Sequence, residues 1–327
     1  MAKNSTSFVN DSSSHGVCFL SVPFFDPNNM NPPGSVYPTW TFLATVNGIA
    51  SLPTAVLNGL IIWTVFWDET IRSSTFNLLL GLLAVTDFLV GLLVEPIFCV
   101  LLGCFVKGCH SPCQFTMHAL LMLPCCGITM VILVAASVER YLAIQHPNFY
   151  LKHVTGKRVI VTTIMTCVST FTCLMASSAF LNKNHPSLTR VPIMIVTSVS
   201  ALVILYCSVK VQLTAYRQSK TIAQQQASVQ QADEQQQQEQ RLKEYKKGLV
   251  MTILVGLMVV FYIPFMIVAA IEAVGGKDVT REFKYLSSPV CITFLQLQSL
   301  INPIIMTLRL SYIRQGIKNK LSFFTGN

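Results

Sequence analysis

Strongly polar side chains are rare in this chain, and a few of them stand inside or at the ends of long apolar stretches. Asp87 lies in the middle of one stretch, and Glu139 and Arg140 end another. Asn302 and Pro303 lie in the last one. A carboxylate among apolar residues needs polar partners, and an arginine beside a carboxylate forms a charge-assisted pair. The six histidines are scattered without metal-ligand spacing, so we expect binding and switching rather than enzyme activity.

Seven apolar segments would hold these side chains. A helix that crosses the hydrocarbon core of a bilayer, about 30 Å thick, needs roughly 20 mostly apolar residues. With 52% hydrophobic and 11% charged residues, the chain has too little polar surface for a soluble domain of 327 residues. The sequence therefore predicts an all-α membrane protein, a single seven-transmembrane helix bundle. The predicted spans are 41–66, 78–106, 115–138, 159–180, 191–209, 249–271 and 286–308.

Lys and Arg are distributed unevenly between the two sides of the predicted bundle. Sixteen of the 23 lie in the loops after spans one, three and five and in the C-terminal tail. By the positive-inside rule this side is cytoplasmic and the N-terminus is extracellular, which predicts a multi-pass protein of the plasma membrane. The net charge of +9 then serves topology and contact with membrane lipids, and we expect no nucleic-acid partner.

The segments outside the spans are short. Residues 1–39 form a predicted extracellular tail, and residues 40–308 form the seven-helix domain. Within it, the Gln-rich third cytoplasmic loop at 217–247 is interpreted as a polar helical extension or a disordered linker. Residues 309–327 alternate apolar and basic residues at helical spacing, which predicts an amphipathic cytoplasmic helix followed by a short tail.

The predicted outer side carries features of an extracellular surface. Asn4 and Asn10 both fit the N-glycosylation acceptor pattern. Four of the eleven cysteines fall on this side, where the compartment is oxidising, so we expect one or two disulfides among them. Three full pairings can be drawn, and we favour those that join Cys18 to a cysteine near the start of span three. The four candidates are Cys18, Cys104, Cys109 and Cys113.

Five short motifs resemble those of the class A, or rhodopsin-like, G-protein-coupled receptors, in the family's order and at family-like depth. The resemblance extends over all seven spans. It implies a cell-surface receptor that converts binding of an extracellular ligand into activation of a heterotrimeric G protein. The motifs are Asn58 in span one, Leu83-Ala84-Val85-Thr86-Asp87 in span two, Glu139-Arg140-Tyr141 after span three, Phe261-Tyr262-Ile263-Pro264 in span six and Asn302-Pro303 in span seven.

The resemblance implies a switch at the cytoplasmic end of span three. Arg140 is similar to an arginine that is restrained in the resting receptor and released toward the G protein on activation. Its expected partners are Glu139 and, at the foot of span six, Glu244. Pro264 kinks span six, so the cytoplasmic half of that helix can swing outward. The switch and coupling candidates are Glu139, Arg140, Tyr141, Pro147, Tyr206, Glu244, Asn302, Pro303 and Met306, the last in place of the family's usual tyrosine.

The resemblance also implies an allosteric sodium site beside Asp87, and no other cofactor is expected. An ionised carboxylate at mid-membrane costs about 2.5–3.5 kcal/mol on insertion scales, so Asp87 should face polar groups inside the bundle. The alternative is a structural polar cluster in which Asp87 is neutral. The sodium-site candidates are Asp87, Thr129, Gln298, Ser299 and Asn302, and Gln298 replaces the family's smaller asparagine.

A mostly apolar ligand pocket is expected between spans three, six and seven. Met122 stands where amine receptors carry aspartate, and Gln296 stands at the depth of the retinal-linking lysine, so monoamines and retinal are disfavoured. Glu95 and Glu272 are the acids that could bind a cationic group, although Glu95 could equally face water. The pocket candidates are Glu95, Met122, Cys125, Cys126, Tyr262, Phe265, Met266, Glu272, Thr293 and Gln296.

Departures from the family pattern leave alternatives open. A short second outer loop without cysteine, and a span five without its usual proline, make the chain loosely similar to the melanocortin, adenosine, lysophospholipid and cannabinoid branch. Met306 favours an alternative function, that of a constitutively active or decoy receptor without ligand-driven signalling. A small-solute transporter or channel would require inverted repeats or several intramembrane charges, and only Asp87 lies well inside the membrane.

Overall fold

The chain folds as a bundle of long helices joined by short connections. The computed structural model describes residues 32–109, 112–184, 191–225, 232–275 and 280–325, and some side chains within these ranges, including those of Cys113, Glu244 and Glu272, fall outside the description. No strand occurs among the described residues. The helices are α1 Tyr37–Trp67, α2 Glu69–Arg72, α3 Thr75–Leu89, α4 Glu95–Lys107, α5 Pro112–Gln145, α6 Pro147–His153, α7 Gly156–Asn184, α8 Val191–Gln225, α9 Ala232–Gly275, α10 Arg281–Arg309 and α11 Ser311–Thr325.

Seven stretches of helix are long and apolar enough to cross a membrane, which confirms the predicted seven-helix fold. Each coincides with a predicted span, and α3 and α4 together form the second. The short helix after span seven is also confirmed, as α11. Outside the spans, α8 and α9 continue into the Gln-rich loop, because Gln, Lys and Glu are good helix formers. The spans are Gly34–Trp67, Thr75–Lys107, Met117–Gln145, Gly156–Ser177, Val191–Thr214, Gly248–Ile271 and Tyr285–Arg309.

A π-helical turn at Val90–Val94 joins α3 to α4. Within it, Gly91 lies directly against α1, because a Cβ atom at this position would meet the backbone nitrogen of Ala55 at 2.6 Å. Only glycine allows the two backbones to approach this closely. The extra residue of the turn sets the rotation of α4, so that Glu95 is fully buried.

Trp40 is buried at one end of the bundle and Arg140 at the other. At the Trp40 end, the Trp40 indole nitrogen donates a hydrogen bond of 2.9 Å to the backbone oxygen of Tyr285, and its ring packs edge-on against Phe105. At the Arg140 end, α11 folds back on α1 and α3. The Tyr312 hydroxyl donates to Asn77 Oδ1 at 2.6 Å, and Lys320 lies over the Trp63 ring.

Candidate functional site

The Arg140 end holds a buried ion pair. Arg140 Nε and Nη2 donate to the two carboxylate oxygens of Glu139, each at 2.5 Å. The exposed fraction is 3% for the Arg140 side chain and 1% for that of Glu139. Removing one partner of a pair this deeply buried destabilises the fold strongly, because the other charge is left unpaired. The Arg140 guanidinium carbon also lies 4.6 Å from the centre of the Phe76 ring on α3. Arg140 is therefore held within the bundle by both α5 and α3.

Tyr150 forms a further contact with Glu139, which the sequence did not predict. Its hydroxyl donates to Glu139 Oε1 at 2.6 Å. Burial and the neighbouring Glu139 carboxylate raise the pKa of Tyr150 well above its usual value, so the hydroxyl remains a donor. Pro147 begins α6, which carries Tyr150, and no residue of this helix is fully buried. The signal available in the sequence was a tyrosine one turn after Pro147.

The remaining switch candidates lie on α5, α8, α9 and α10. The rings of Tyr141 and Tyr206 lie 6.0 Å apart, and Tyr206 is 55% exposed. Met306 is fully buried in the hydrophobic core. Glu244 belongs to α9, but its side chain lies outside the described residues, so its pairing with Arg140 stays a prediction.

Asp87 lies fully buried between α3 and α10. The Ser299 hydroxyl donates to Oδ1 of Asp87, and the Asn302 amide donates to Oδ2, both at 2.8 Å. Asn58 on α1 completes the cluster by donating to the backbone oxygen of Ser299 at 3.0 Å. Thr129 hydrogen bonds to the neighbouring Thr86, with 3.3 Å between the hydroxyl oxygens. The polar motifs of spans one, two and seven thus meet at one carboxylate.

A small cavity of about 20 Å³ adjoins this cluster, which is room for one water-sized sphere. Thr129, Gln298 and Ser299 line it, together with the predicted pocket residues Met122, Cys125, Cys126, Tyr262 and Gln296. Asn302 Oδ1 is buried without a hydrogen-bond partner among the described residues. An unpaired amide oxygen beside a carboxylate fits a small hard cation, and the cavity has room for a single ion or a single water.

A second cavity, of about 260 Å³, opens between α5, α7 and α8. Met122, Cys126, Tyr262 and Phe265 line it on the side of the bundle interior. The Tyr262 hydroxyl donates to the backbone oxygen of Cys126 at 3.4 Å, which joins α9 to α5 at the cavity wall. This space is larger and more apolar than the sequence indicated, because spans four and five contribute much of its lining.

The other pocket candidates lie elsewhere. Thr293 accepts a hydrogen bond of 2.9 Å from the Asn47 amide of α1, so it faces α1 rather than the cavities. Glu95 is fully buried with Oε1 3.4 Å from the Thr54 hydroxyl, and therefore does not face water. Met266 is half-buried and lines neither cavity, and the Glu272 side chain lies outside the described residues.

Gln296 also takes part in a polar contact that the sequence did not reveal. Its amide nitrogen lies 3.3 Å from the imidazole Nε2 of His118, and the His118 ring stacks on Phe98 at 4.7 Å. Both polar side chains are almost completely buried. The signal in the sequence was a histidine near the start of span three. Its contacts depend on how α4, α5 and α10, which carry Phe98, His118 and Gln296, are rotated about their axes.

The predicted outer features are only partly within the described residues. Cys104 and Cys109 carry free thiols. Cys18, Asn4 and Asn10 lie outside the described residues, as does the Cys113 side chain. The disulfide and the glycosylation therefore stay predictions.

Comparison with known proteins identifies the fold and family. A crystal structure of squid rhodopsin superimposes with a TM-score of 0.71 over 93% of each chain, at 14% identity, which shows a shared fold. The mouse trace amine-associated receptor 7d is 25% identical over 81% of this chain and 78% of its own length. Two further matches are shorter. The bovine prostaglandin E2 receptor EP4 subtype is 38% identical over 27% of this chain, and the chicken adenosine receptor A2b is 39% identical over 31%.

The matched segments span only 18% of the bovine receptor and 28% of the chicken receptor. The family model extends much further, because residues 57–306 match that of the seven-transmembrane receptors of the rhodopsin family. This match includes the buried Arg140–Glu139 pair and the Asp87 cluster, and the family consists of receptors rather than enzymes. The chain belongs to the rhodopsin family of seven-transmembrane receptors.

Proposed function

We propose that the chain is a plasma-membrane receptor whose Arg140 end faces the cytoplasm and activates a heterotrimeric G protein when an extracellular ligand binds. The buried Arg140–Glu139 pair is the observation that carries this proposal. Its two 2.5 Å hydrogen bonds and the Phe76 ring hold Arg140 inside the bundle, and the Tyr150 hydroxyl bonds to the Glu139 partner. The excess of Lys and Arg on the same side supports the orientation.

In the proposed mechanism, the described arrangement is the restrained state. Release of Arg140 requires Glu139 to exchange its partners, and Tyr150 on α6 is one of them. Pro264 weakens the hydrogen-bonding of α9 at the depth of Tyr262, so an occupant that contacts Tyr262 or Phe265 can bias the tilt of this helix. A ligand acts only through a difference in affinity between the two tilts.

Asp87, Thr129, Ser299 and Asn302 would hold a sodium ion, with Gln298 at the edge of the site. The ion would supply positive charge beside a buried carboxylate, which favours the packed arrangement of α3 against α10. The two donors already bonded to Asp87 would have to share it with the ion. The residues therefore support a weak, regulatory site rather than a structural one.

The ligand class is not selected by the relatives. Their names refer to prostaglandin E2, adenosine and trace amines, which are a lipid acid, a nucleoside and small cations. A cationic amine is disfavoured because Met122, rather than an acid, lies at the expected depth, and it is buried among apolar residues. An uncharged or largely apolar ligand fits the described lining better.

The test is basal dissociation of a panel of G proteins in cells, with wild type compared to Arg140→Ala at matched surface level. We expect a basal signal with at least one G-protein class, and its loss in the variant. Arg72→Ala is the control, because Arg72 lies between spans one and two and makes exposed contacts, a pair with Glu69 at 3.5 Å and a hydrogen bond of 3.2 Å to the Phe66 backbone oxygen. A basal signal that survives Arg140→Ala would contradict the proposed switch.

A decoy receptor is the second candidate, and Met306 favours it. The family's usual tyrosine would offer a hydroxyl at this position, whereas the Met306 side chain is fully buried among apolar residues. Silence of every G protein under a broad ligand screen, with normal surface expression, would support this alternative.

A further inference from the structure

The cavity between α5, α7 and α8 reaches from the centre of the bundle to its outer surface. On the inner side, its walls include the buried residues Met130 and Leu295. On the outer side they include Val168 and Phe171 of α7, which are 58% and 39% exposed. In a membrane-spanning segment, an exposed apolar side chain faces hydrocarbon. The cavity is therefore continuous with the bilayer rather than enclosed by protein.

The residues that line the cavity indicate which class of molecule it can bind. None of the described residues that line the cavity is charged. The polar groups are a few hydroxyls, including those of Thr170, Thr197 and Ser200, and they can each hydrogen bond to their own helix in an apolar surrounding. A charged group placed here would lose its hydration without a counterion. The site fits an uncharged molecule that is mostly hydrocarbon.

The volume of the cavity also indicates a binding site rather than a packing defect. At about 260 Å³ it approaches the lower end of small-molecule sites, roughly 300 Å³, and far exceeds the space of a single water. On α5, Gly127 borders this space, and a Cβ atom at this position would meet nothing within 4 Å. A dry space of this size loses dispersion contacts unless apolar atoms fill it.

We propose that this cavity is a ligand site entered from the bilayer, and that it binds an uncharged, predominantly aliphatic molecule between α5, α7 and α8. This inference rests on the proposed receptor function and names the ligand class. The occupant would contact Tyr262 and Phe265 on either side of Pro264, and so would reach the helix whose tilt is proposed to control Arg140. A ligand dissolved in the membrane needs no path through the Trp40 end.

The experiment is photolabelling of the purified receptor in lipid nanodiscs with a decanol that carries a diazirine, followed by mass spectrometry of the labelled peptides. Gly127→Leu fills the cavity, and Gly103→Leu is the matched control. Gly103 lies on α4, also has open space around an added Cβ, and does not line the cavity. Thermal unfolding of each variant verifies that it is folded.

We expect saturable labelling of α5, α7 and α8 within 123–131, 167–175 and 193–200. It should fall roughly tenfold in Gly127→Leu and remain unchanged in Gly103→Leu, because the added side chain takes the space of the probe. Excess unlabelled decanol should compete, whereas a higher phospholipid content of the nanodisc should not. Because no G protein is present, the result does not depend on coupling, which the Arg140→Ala comparison tests separately.

Equal labelling of wild type and Gly127→Leu would overturn the proposal, as would labelling spread evenly over the lipid-facing residues of all spans. Competition by phospholipid alone would also overturn it, because the cavity would then be filled by acyl chains of the bilayer rather than by a free ligand.

Discussion

The half of the bundle built from spans one, two and seven and the half built from spans four and five differ sharply in how they are packed. In the most apolar stretch of each span, 33% of the residues are buried in span one, 44% in span two and 50% in span seven. In span four the share is 6%, and in span five it is 17%. The dense half contains Asn47, Asn58, Asp87 and Glu95, all fully buried.

Polar groups explain the difference. A buried amide or carboxylate must find partners on a neighbouring helix, because no water is available in the membrane core. These bonds fix the spacing and rotation of α1, α3, α4 and α10. In span four the polar side chains are largely hydroxyls that bond to the backbone of their own helix, as those of Thr163, Thr166 and Thr172 do. For the apolar side chains of spans four and five, hydrocarbon and protein are equally good surroundings. The dense half can therefore hold the Asp87 cluster in a defined geometry, and the loose half can admit an apolar molecule.

The largest effect is expected from placing leucine at two glycines: Gly91 lies in the dense half, and Gly127 lies on α5 and borders the cavity that the loose half lines. Gly91→Leu forces atoms into the α1 backbone at Ala55, which should destabilise the fold by roughly 3 kcal/mol or more. Gly127→Leu enters open space and should leave stability equal or slightly higher, since glycine is a poor helix former. Thermal unfolding in one detergent measures both. Similar unfolding temperatures for the two variants would mean that the halves are equally packed.

The next effect concerns sodium in the dense half. Asp87→Ala leaves the Ser299 hydroxyl and the Asn302 amide without their acceptor, at a cost of about 1–3 kcal/mol for each buried group. We expect wild type to unfold at a higher temperature in sodium chloride than in choline chloride, and the variant to show no such difference. Glu95→Gln is the control, because Glu95 is an equally buried carboxyl outside the Asp87 cluster. A sodium effect that persists in Asp87→Ala would exclude this site.

A smaller effect is expected at the boundary between the halves, where α6 meets α5. Tyr150→Phe removes the hydrogen bond to Glu139, worth about 1.5–3 kcal/mol for a charged acceptor, and should raise ligand-independent G-protein dissociation several-fold. Phe149→Leu tests the neighbouring, exposed position and should have no effect. Glu244→Ala tests the predicted restraint from α9. If only Glu244→Ala raises the basal signal, Arg140 is restrained by α9 rather than by α6.

The smallest effect is expected outside both halves, in the loop between spans one and two. Asp68 caps α2 by accepting from the Thr70 backbone at 2.9 Å, and the Thr70 side chain lowers the pKa of Asp68 below 3.8. Asp68→Ala should cost about 0.5 kcal/mol, at the low end for helix caps. Because the pKa is lowered in the folded state, this stabilisation is present at neutral pH and is lost as pH falls through the lowered pKa.

Thermal unfolding over a series from neutral pH to pH values well below 3.8 would show the loss of the Asp68 contribution. Glu69→Ala is the matched control, because its pair with Arg72 is exposed and worth little. An Asp68→Ala effect as large as that of Gly91→Leu would contradict the view that packing of the spans dominates stability.

The sequence was sufficient for the number of spans, the all-helical fold and the helix after span seven. Hydropathy over roughly 20 residues is a local property, and it reports directly on which segments enter the membrane. The motifs also indicated which polar side chains need hydrogen-bond partners inside the bundle. They did not indicate Tyr150, His118 or Asn47, because each bonds to a residue on another helix. The partners of His118 and Asn47 are also distant in the chain, whereas Glu139 precedes Tyr150 by eleven residues.

Tertiary structure alone decided which faces of the helices meet. The π-helical turn at Val90–Val94 orients Glu95 inward, and Thr293 turns toward Asn47 instead of the expected pocket. The cavity behind α5 exists because α7 and α8 stand apart from each other there, which no pattern within either span encodes. Apolar residues on a transmembrane helix are compatible with lipid and with protein alike, so only the packing of neighbouring helices determines which of the two they meet.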